Sequence, residues 1–512
     1  MKARKKDFFE ELFDRGTFLQ RRMVLLLSKT NGRWVSRQWI SDSLGISKHT
    51  TVGVLNELQE KIENLNTSQF SFQLSKGKGV RLFIKRDADV YQLVTEIVKE
   101  CSTVKLLEAL ITDEFENVRH YALKYFISES TVRRDLSKVQ PLLDRYGIEI
   151  SRESFQLIGE EYQIRMFLVI FFWSIYRGNS WPFPHIDEER VEQFVDHMLD
   201  SGFTVYPNIP YAYKKQLAYI FAEAIIRTRK GHILKMPQPL EDQITTNTLY
   251  SGFKEIMTSE HGVINTRDSE IPFFFLVWVS MSKTIDVFKE PLVDELMRQQ
   301  AAQQTQIYAA TELMVTRFQE EFFPIKEEDL WRFRSYILSA HFFAKYFKGF
   351  NTDMTGNTYK AIFKERYPQL IKKTRAFVER LYEESANPIF LELDFLLIPY
   401  LKNILFLADP CRYEVPISIL VESDMPSLMT KNFIRQLSGY FNYLYNLSIN
   451  DVFETTETNV DILLTTSTLK DMTSVYPEAQ IVVVGKSLLM NDLERINEVL
   501  EQVATKKQDE SN

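Results

Sequence analysis

Cysteine is nearly missing from this chain. Cys101 and Cys411 stand 310 positions apart in 512 residues, too few and too distant for a disulfide framework or a zinc cluster. Glycine and proline are scarce as well, 17 of each, which excludes collagen-like and low-complexity chains. Long apolar runs are lacking: the most apolar stretches, 166–175 and 271–281, are half of the roughly 20 residues that a membrane-spanning helix needs. Both read as buried core helices, and no membrane partner is expected. Residues 1–15 are charged throughout and carry no signal-like apolar stretch, so the expected location is the reducing cytoplasm.

Catalytic signatures are absent too. Gly485-Lys486-Ser487 resembles the end of a phosphate-binding loop, but Gln480 stands where such a loop needs its first glycine, and the motif reads as a strand-end turn. There is no His-Glu-x-x-His, Gly-x-Ser-x-Gly or Gly-x-Gly-x-x-Gly. Neither an enzyme, a cofactor nor a metal is expected.

What is present is a folding composition: 45% hydrophobic and 13% aromatic residues supply enough apolar surface to offset the entropy of ordering. A chain of this length predicts about three to five domains. Net charge is -7 overall, yet residues 1–86 hold 17 Lys and Arg against 8 Asp and Glu. The remainder is acidic. A basic segment on an acidic chain suits a polyanion, because clustered Lys and Arg attract phosphates.

The pattern inside the basic block is more specific. Residues 37–44 read as a short helix, Gly45 breaks it, and Ser47 caps a second helix running to about residue 62. Val52, Leu55 and Leu58 are expected to face the core. The first turn of the second helix then presents Lys48, His49, Thr50 and Thr51, the positions that approach base edges in a helix-turn-helix, with Arg37 on the preceding helix. Residues 70–74 and 80–84 follow as two strands around a Gly-bearing turn. That hairpin carries Lys76, Lys78 and Arg81, a wing suited to phosphates. A plain helical hairpin would explain the helices but not the basic wing.

A second copy follows some 80 positions on, where Ile127-Ser128-Glu129-Ser130-Thr131-Val132 echoes Ile46-Ser47-Lys48-His49-Thr50-Thr51. Its helix offers Ser130, Thr131, Arg133, Arg134 and Lys138 within an acidic block, so it either reads DNA or scaffolds the first unit. Beyond residue 160 the chain becomes helical, with a repeat at an offset of 118 that aligns 222–231 with 340–349. The last hundred residues carry apolar strands at 416–421, 460–465 and 480–484 separated by helices, which predicts a small parallel or mixed α/β sheet. The terminal helix is expected at 488–504, with a frayed tail from residue 506.

The fold class expected is therefore multidomain and mainly α. It comprises a winged helix-turn-helix domain at 1–88, a second at 89–160, all-helical domains at 161–282 and 283–405, and an α/β domain at 412–505. This order of parts, with the motifs at 46–58, 128–139 and the wing at 76–79, resembles the Mga-like transcriptional regulators of Gram-positive bacteria. The resemblance implies tandem phosphotransferase regulation domains, an enzyme IIB-like terminal domain, a homo-oligomer of two or more copies, and double-stranded DNA and a phosphocarrier protein as partners. It also implies histidine phosphorylation, for which His185, His197, His232 and His341 are the candidates. No nucleophile follows Val421, where a working enzyme IIB carries one, and Cys411 precedes the strand. A phosphocarrier or enzyme with vestigial DNA-binding units is the alternative. An RNA-binding antiterminator would need a small β-rich module in front, which this N-terminus does not resemble.

Overall fold

The structure, a computed structural model, describes residues 9–65, 67–200, 209–258, 268–287, 290–353, 363, 366–455, 459–467 and 472–510. The protein is multidomain and mainly helical, and it divides into two compact units. One comprises Met1–Phe323, Trp331–Thr358 and Asn387–Leu396; the other comprises Pro324–Leu330, Tyr359–Ala386 and Leu397–Asn512.

The first unit begins with α1 (Arg15–Ser28), α2 (Arg37–Leu44), α3 (Lys48–Asn64) and the hairpin β1 (Phe70–Ser75) and β2 (Gly79–Ile84). Each helix start is set by a local side chain. Asp14, Ser36 and Ser47 sit in extended backbone and accept hydrogen bonds from Thr17 N, Trp39 N and Thr50 N, satisfying amides that the first turn leaves unpaired. Gly45, at φ +65°, closes α2 and turns the chain into α3. Leu27, Ile40, Leu55, Leu58, Val80 and Leu82 form the core beneath. Val52 is not among them. It is 37% exposed, contrary to the spacing argument, because Val54 and Leu55 take the inward positions.

Gly79 joins the wing to the helices. Val35 N donates to Val80 O at 2.9 Å and Val80 N to Val35 O at 2.8 Å, which brings the Val35 carbonyl where a Cβ on Gly79 would stand, 2.1 Å away. Only glycine fits this close approach at φ +97°.

The next elements are α4 (Val90–Val98), α5 (Ser102–Ile111), α6 (Val118–Lys124), α7 (Glu129–Asp144) and the two-residue strands β3 (Glu149–Ile150) and β4 (Leu157–Ile158). Asn117 and Ser128 cap α6 and α7 as Ser36 and Ser47 cap α2 and α3. The helical region follows with α8 (Glu161–Tyr176), α9 (Glu188–Asp200), α10 (Tyr211–Arg229), α11 (Gln238–Thr245), α12 (Thr248–Thr258), α13 (Ile271–Val279), α14 (Ser282–Val287), α15 (Glu290–Ala302), α16 (Gln306–Glu321) and α17 (Glu327–Tyr346). The apolar runs noted above are α8 and α13, buried nearly all round. No helix among the described residues is long and apolar enough to cross a membrane. The two aligned segments both close long helices, α10 and α17, through Gly231 and Gly349 at φ +89° and +77°.

After α18 (Pro368–Ser385) and α19 (Leu393–Leu407), the chain builds a four-stranded parallel sheet. Its strands are β5 (Pro416–Glu422), β6 (Asn446–Asp451), β7 (Ile462–Thr465) and β8 (Gln480–Val483), ordered β6-β5-β7-β8, with helices α20 (Ser427–Phe441), α21 (Met472–Val475) and α22 (Met490–Glu510). Ile417, Ile419, Ile462 and Leu464 pack against Phe433 and Leu437 of α20 and Ile496 and Leu500 of α22. Leu420 and Leu463 face the other way, toward Val460 and Tyr476. Two sequence expectations need correction. β6 was not foreseen, since this polar edge strand lacks a continuous apolar run, and the terminal helix continues to Glu510 instead of fraying at residue 506.

Candidate nucleic-acid interface

The second helices of the two units align at a sequence offset of 81, and burial obeys the same register. Thr51 and Val132 are buried, Thr50 and Thr131 half-buried, and His49, Val52, Gly53 and Asn56 are exposed like Ser130, Arg133, Arg134 and Ser137. Ser47 Oγ accepts from Thr50 N at 3.1 Å, and Ser128 Oγ accepts from Thr131 N at 3.1 Å. One face of each second helix is thus committed to the core and the other, starting at the capped N-terminus, is open.

The predicted contact residues divide accordingly. Arg37, Lys48 and His49 are exposed and Thr50 is half-buried. Thr51 is a correction: it is fully buried, and its Oγ1 donates to Ser47 O at 3.0 Å, so it holds the helix start and cannot reach a base. Ser130, Arg133 and Arg134 are exposed, and Thr131 and Lys138 are half-buried. Arg133 lies 3.5 Å from Glu129, one turn back. On the first wing Lys76 and Lys78 are exposed, with Lys78 Nζ 6.0 Å from the centre of the Trp34 ring. Arg81 is half-buried beside Phe83. The second wing tip carries only Arg152 against Glu153, so the basic tip belongs to the first unit alone.

The candidate histidines sit in four different environments. His185 is exposed in a loop at φ +64°, its carbonyl accepting from Arg229 Nη1 at 3.0 Å. His197 is half-buried on α9. His232 Nε2 lies 2.8 Å from Asp113 Oδ2, which ties the end of α10 to the segment between α5 and α6. His341 is another correction. It is wholly buried with Nδ1 2.9 Å from Thr311 Oγ1, and burial pushes its pKa down to about 3, so a phosphocarrier has no approach to it.

Sequence reasoning missed the ion network beside His232. Arg165 is fully buried; its Nε donates to Glu161 Oε1 at 3.0 Å, its Nη2 to His232 O at 3.0 Å, and its Nη1 to Glu270. Arg227 grips Glu161 through Nε at 3.0 Å and Nη2 at 2.7 Å. Glu223 completes the group, only 2% exposed, and neither carboxylate oxygen has a hydrogen-bond partner among the described residues. Burial pushes its pKa up to about 8 against the pull of Arg165 and Arg227. The signal available in the sequence was the charge itself, Arg165 and Glu270 at the edges of apolar helices.

This raised pKa fixes the sign of a pH effect. Between the ordinary value of 4.5 and about 8 the folded chain keeps a proton that the unfolded chain has lost, so stability falls as pH rises through that window. Glu223→Gln, which carries no charge, is expected to flatten the dependence and to add on the order of 1–3 kcal/mol above pH 8. Thermal melts across pH check it; a wild-type midpoint that does not drop between pH 5 and about 8 relative to the variant would rule it out.

At the carboxyl ends of β5, β7 and β8, Asp424 accepts from Lys486 Nζ at 2.7 Å and from Thr466 Oγ1 at 2.9 Å. Cys411 is buried in a short helix before β5, and burial pushes its thiol up to about 12, away from nucleophilic thiolate chemistry.

A mainly helical, multidomain protein with two tandem helix-turn-helix units is the class that this fold defines. Residues 86–172 match the Mga helix-turn-helix domain family, a segment running from α4 through the second unit into α8. The chain is 18% identical over 270 residues to the capsule synthesis positive regulator AcpA of Bacillus anthracis, covering 51% of this chain and 53% of that protein. It is 20% identical over 176 residues to the capsule synthesis positive regulator AcpB of the same organism, covering 34% and 36%. To a proposed trans-acting regulator of Streptococcus pneumoniae serotype 4 it is 19% identical over 431 residues, covering 81% and 84%. The matches to AcpA and AcpB span about half and about a third of those proteins. Over residues 86–172 the chain is similar to the Mga helix-turn-helix domain.

Proposed function

We propose that this protein is a DNA-binding transcriptional regulator. The observation that carries the reading is the repeated open face: two Ser-capped helices with one exposure register, the first accompanied by a wing tipped with Lys76 and Lys78. A capped helix N-terminus directs amides and partial positive charge outward, and a lysine-bearing wing lies along phosphates beside a groove-seated helix. The names of AcpA, AcpB and the streptococcal relative agree with a regulatory role.

Regulation is proposed to run through the helical region, by histidine phosphorylation from a phosphocarrier of the sugar phosphotransferase system. His232 has the most direct route to the DNA-binding half. A phosphoryl group on Nε2 adds about -1.5 to -2 charges where Asp113 now sits 2.8 Å away, which would break that contact and release the segment leading into α6. His185 is the most accessible acceptor and His197 the third. Recovery and sequencing of genomic DNA on the purified full-length protein tests the first part, with a reproducible set of upstream fragments expected; uniform recovery of all DNA would defeat it. Incubation with the general phosphocarriers and labelled phosphoenolpyruvate tests the second, with acid-labile label expected on His232 or His185 and lost in the matching Ala variant. No label on any histidine would end the phosphorylation reading.

A further inference from the structure

On α3 the exposed stripe of His49, Val52, Gly53 and Asn56 holds an apolar side chain and a residue with none where α7, in the same register, holds Arg133 and Arg134. Val52 leaves 37% of its surface in water, whereas Arg133 and Arg134 leave 67% and 64% of their side chains there. Gly53 is the more informative. Its φ lies outside the left-handed region, and nothing among the described residues comes within 4 Å of a Cβ built on it. The fold would accept alanine at this place, and glycine inside a helix loosens it. The missing side chain leaves the helix backbone open at this place to close approach from outside the protein.

We propose, resting on the DNA-binding reading above, that the two units read different base pairs: α3 reads A·T pairs through Val52, Gly53 and Asn56, and α7 reads G·C pairs through Glu129, Arg133 and Arg134. The chemistry of the major groove supports each assignment. The thymine C5-methyl is the apolar group on that edge, and Val52 is the apolar group on the open face of α3. Asn56 lies one turn further along the same stripe, and an asparagine amide matches the N6 and N7 of adenine. Gly53, between them on the helical surface, lets the helix backbone approach the groove floor. On α7 the guanidinium groups match O6 and N7 of guanine, and the Glu129 carboxylate accepts from the N4 amino group of cytosine. The 3.5 Å contact of Arg133 with Glu129 is an exposed pair that opens at little cost when bases arrive. A target with an A·T-rich part and a G·C-bearing part follows, one for each unit.

The test uses the full-length protein and a random-sequence duplex pool. Selection is expected to enrich sites with a T·A-rich block and a separate block containing guanine. Replacing thymine by uracil in the selected duplex removes the methyl and should weaken wild-type binding several-fold, with little effect on Val52→Ser. Replacing guanine by 7-deazaguanine should weaken the wild type but not an Arg133→Ala, Arg134→Ala double variant. Gly53→Ala should weaken binding by about tenfold while its thermal midpoint holds or rises by up to about 2 °C. Enrichment of sites that are indifferent to uracil and to 7-deazaguanine, or full affinity in Gly53→Ala, would overturn the assignment while leaving DNA binding intact. No enrichment of any duplex would remove the DNA-binding reading and the assignment with it.

Discussion

Replacing Arg165 with methionine is expected to lower the stability of the first compact unit by about 3–5 kcal/mol, the cost of stranding buried charge. Arg165 is fully buried, and its guanidinium meets Glu161, Glu270 and the His232 carbonyl at once. Without it, Glu161, Glu223 and Glu270 face Arg227 alone. Methionine fills much of the volume, so the loss is electrostatic and not a cavity effect. Two effects compete here, since taking the pair out of water costs about as much as the attraction returns. The double variant Arg165→Met, Glu270→Gln should therefore recover part of the loss, because it removes an uncompensated carboxylate together with its partner. Chemical unfolding of the three proteins decides the matter. A single-variant loss below about 1 kcal/mol would mean that water already reaches this cluster.

The same replacement bears on the proposed switch. Arg165 holds the His232 carbonyl at 3.0 Å while the His232 ring meets Asp113 at 2.8 Å, so one buried side chain positions the histidine that meets the segment leading into α6.

Lys76→Ala with Lys78→Ala is expected to give the largest change in DNA affinity for the least structural disturbance. Both side chains are exposed at the wing tip, and the anchor of the wing, the Val35 and Val80 backbone pair at Gly79, does not involve them. Each lost phosphate contact reduces the dependence of log affinity on log salt by about 0.9, so the pair should lower that slope by about two. Weakening should be similar on selected and unrelated sequences, because phosphates carry no base identity. Gel-shift titrations at several salt concentrations measure both. An unchanged slope would take the wing out of the interface.

How much of this was legible beforehand depends on how local the cause is. The helix-turn-helix units were readable because their signals lie within three or four residues: Ser36, Ser47, Asn117 and Ser128 each cap a helix through the amide three positions on, and Gly45 supplies a left-handed turn. A small parallel or mixed sheet was readable from the apolar runs at β5, β7 and β8; of these β7 is buried throughout, while β8 at the edge leaves Val483 exposed. β6 was not, since its alternating polar sequence, Asn446 to Asp451, becomes a strand only by pairing with β5 from Pro416 to Val421. The orientation of Val52 failed for a related reason. Val52, Val54 and Leu55 offer two apolar stripes, and the choice between them belongs to the partners packed against α3.

The amino-acid order alone determined where most helices start, that two copies of one helix-turn-helix motif stand in tandem, and that the last hundred residues carry an α/β sheet. Each of these follows from caps, turns and hydrophobic period, whose energies act between near neighbours. Tertiary structure decided which face of α3 and of α7 is open, that Thr51 and His341 are sealed away, and that Arg165, Arg227, Glu161, Glu223 and Glu270 meet in one buried cluster. The cluster joins Arg165 to Glu270 across 105 positions and Arg227 to Glu161 across 66, and such long-range contacts, with the removal of water around them, are encoded by no local pattern.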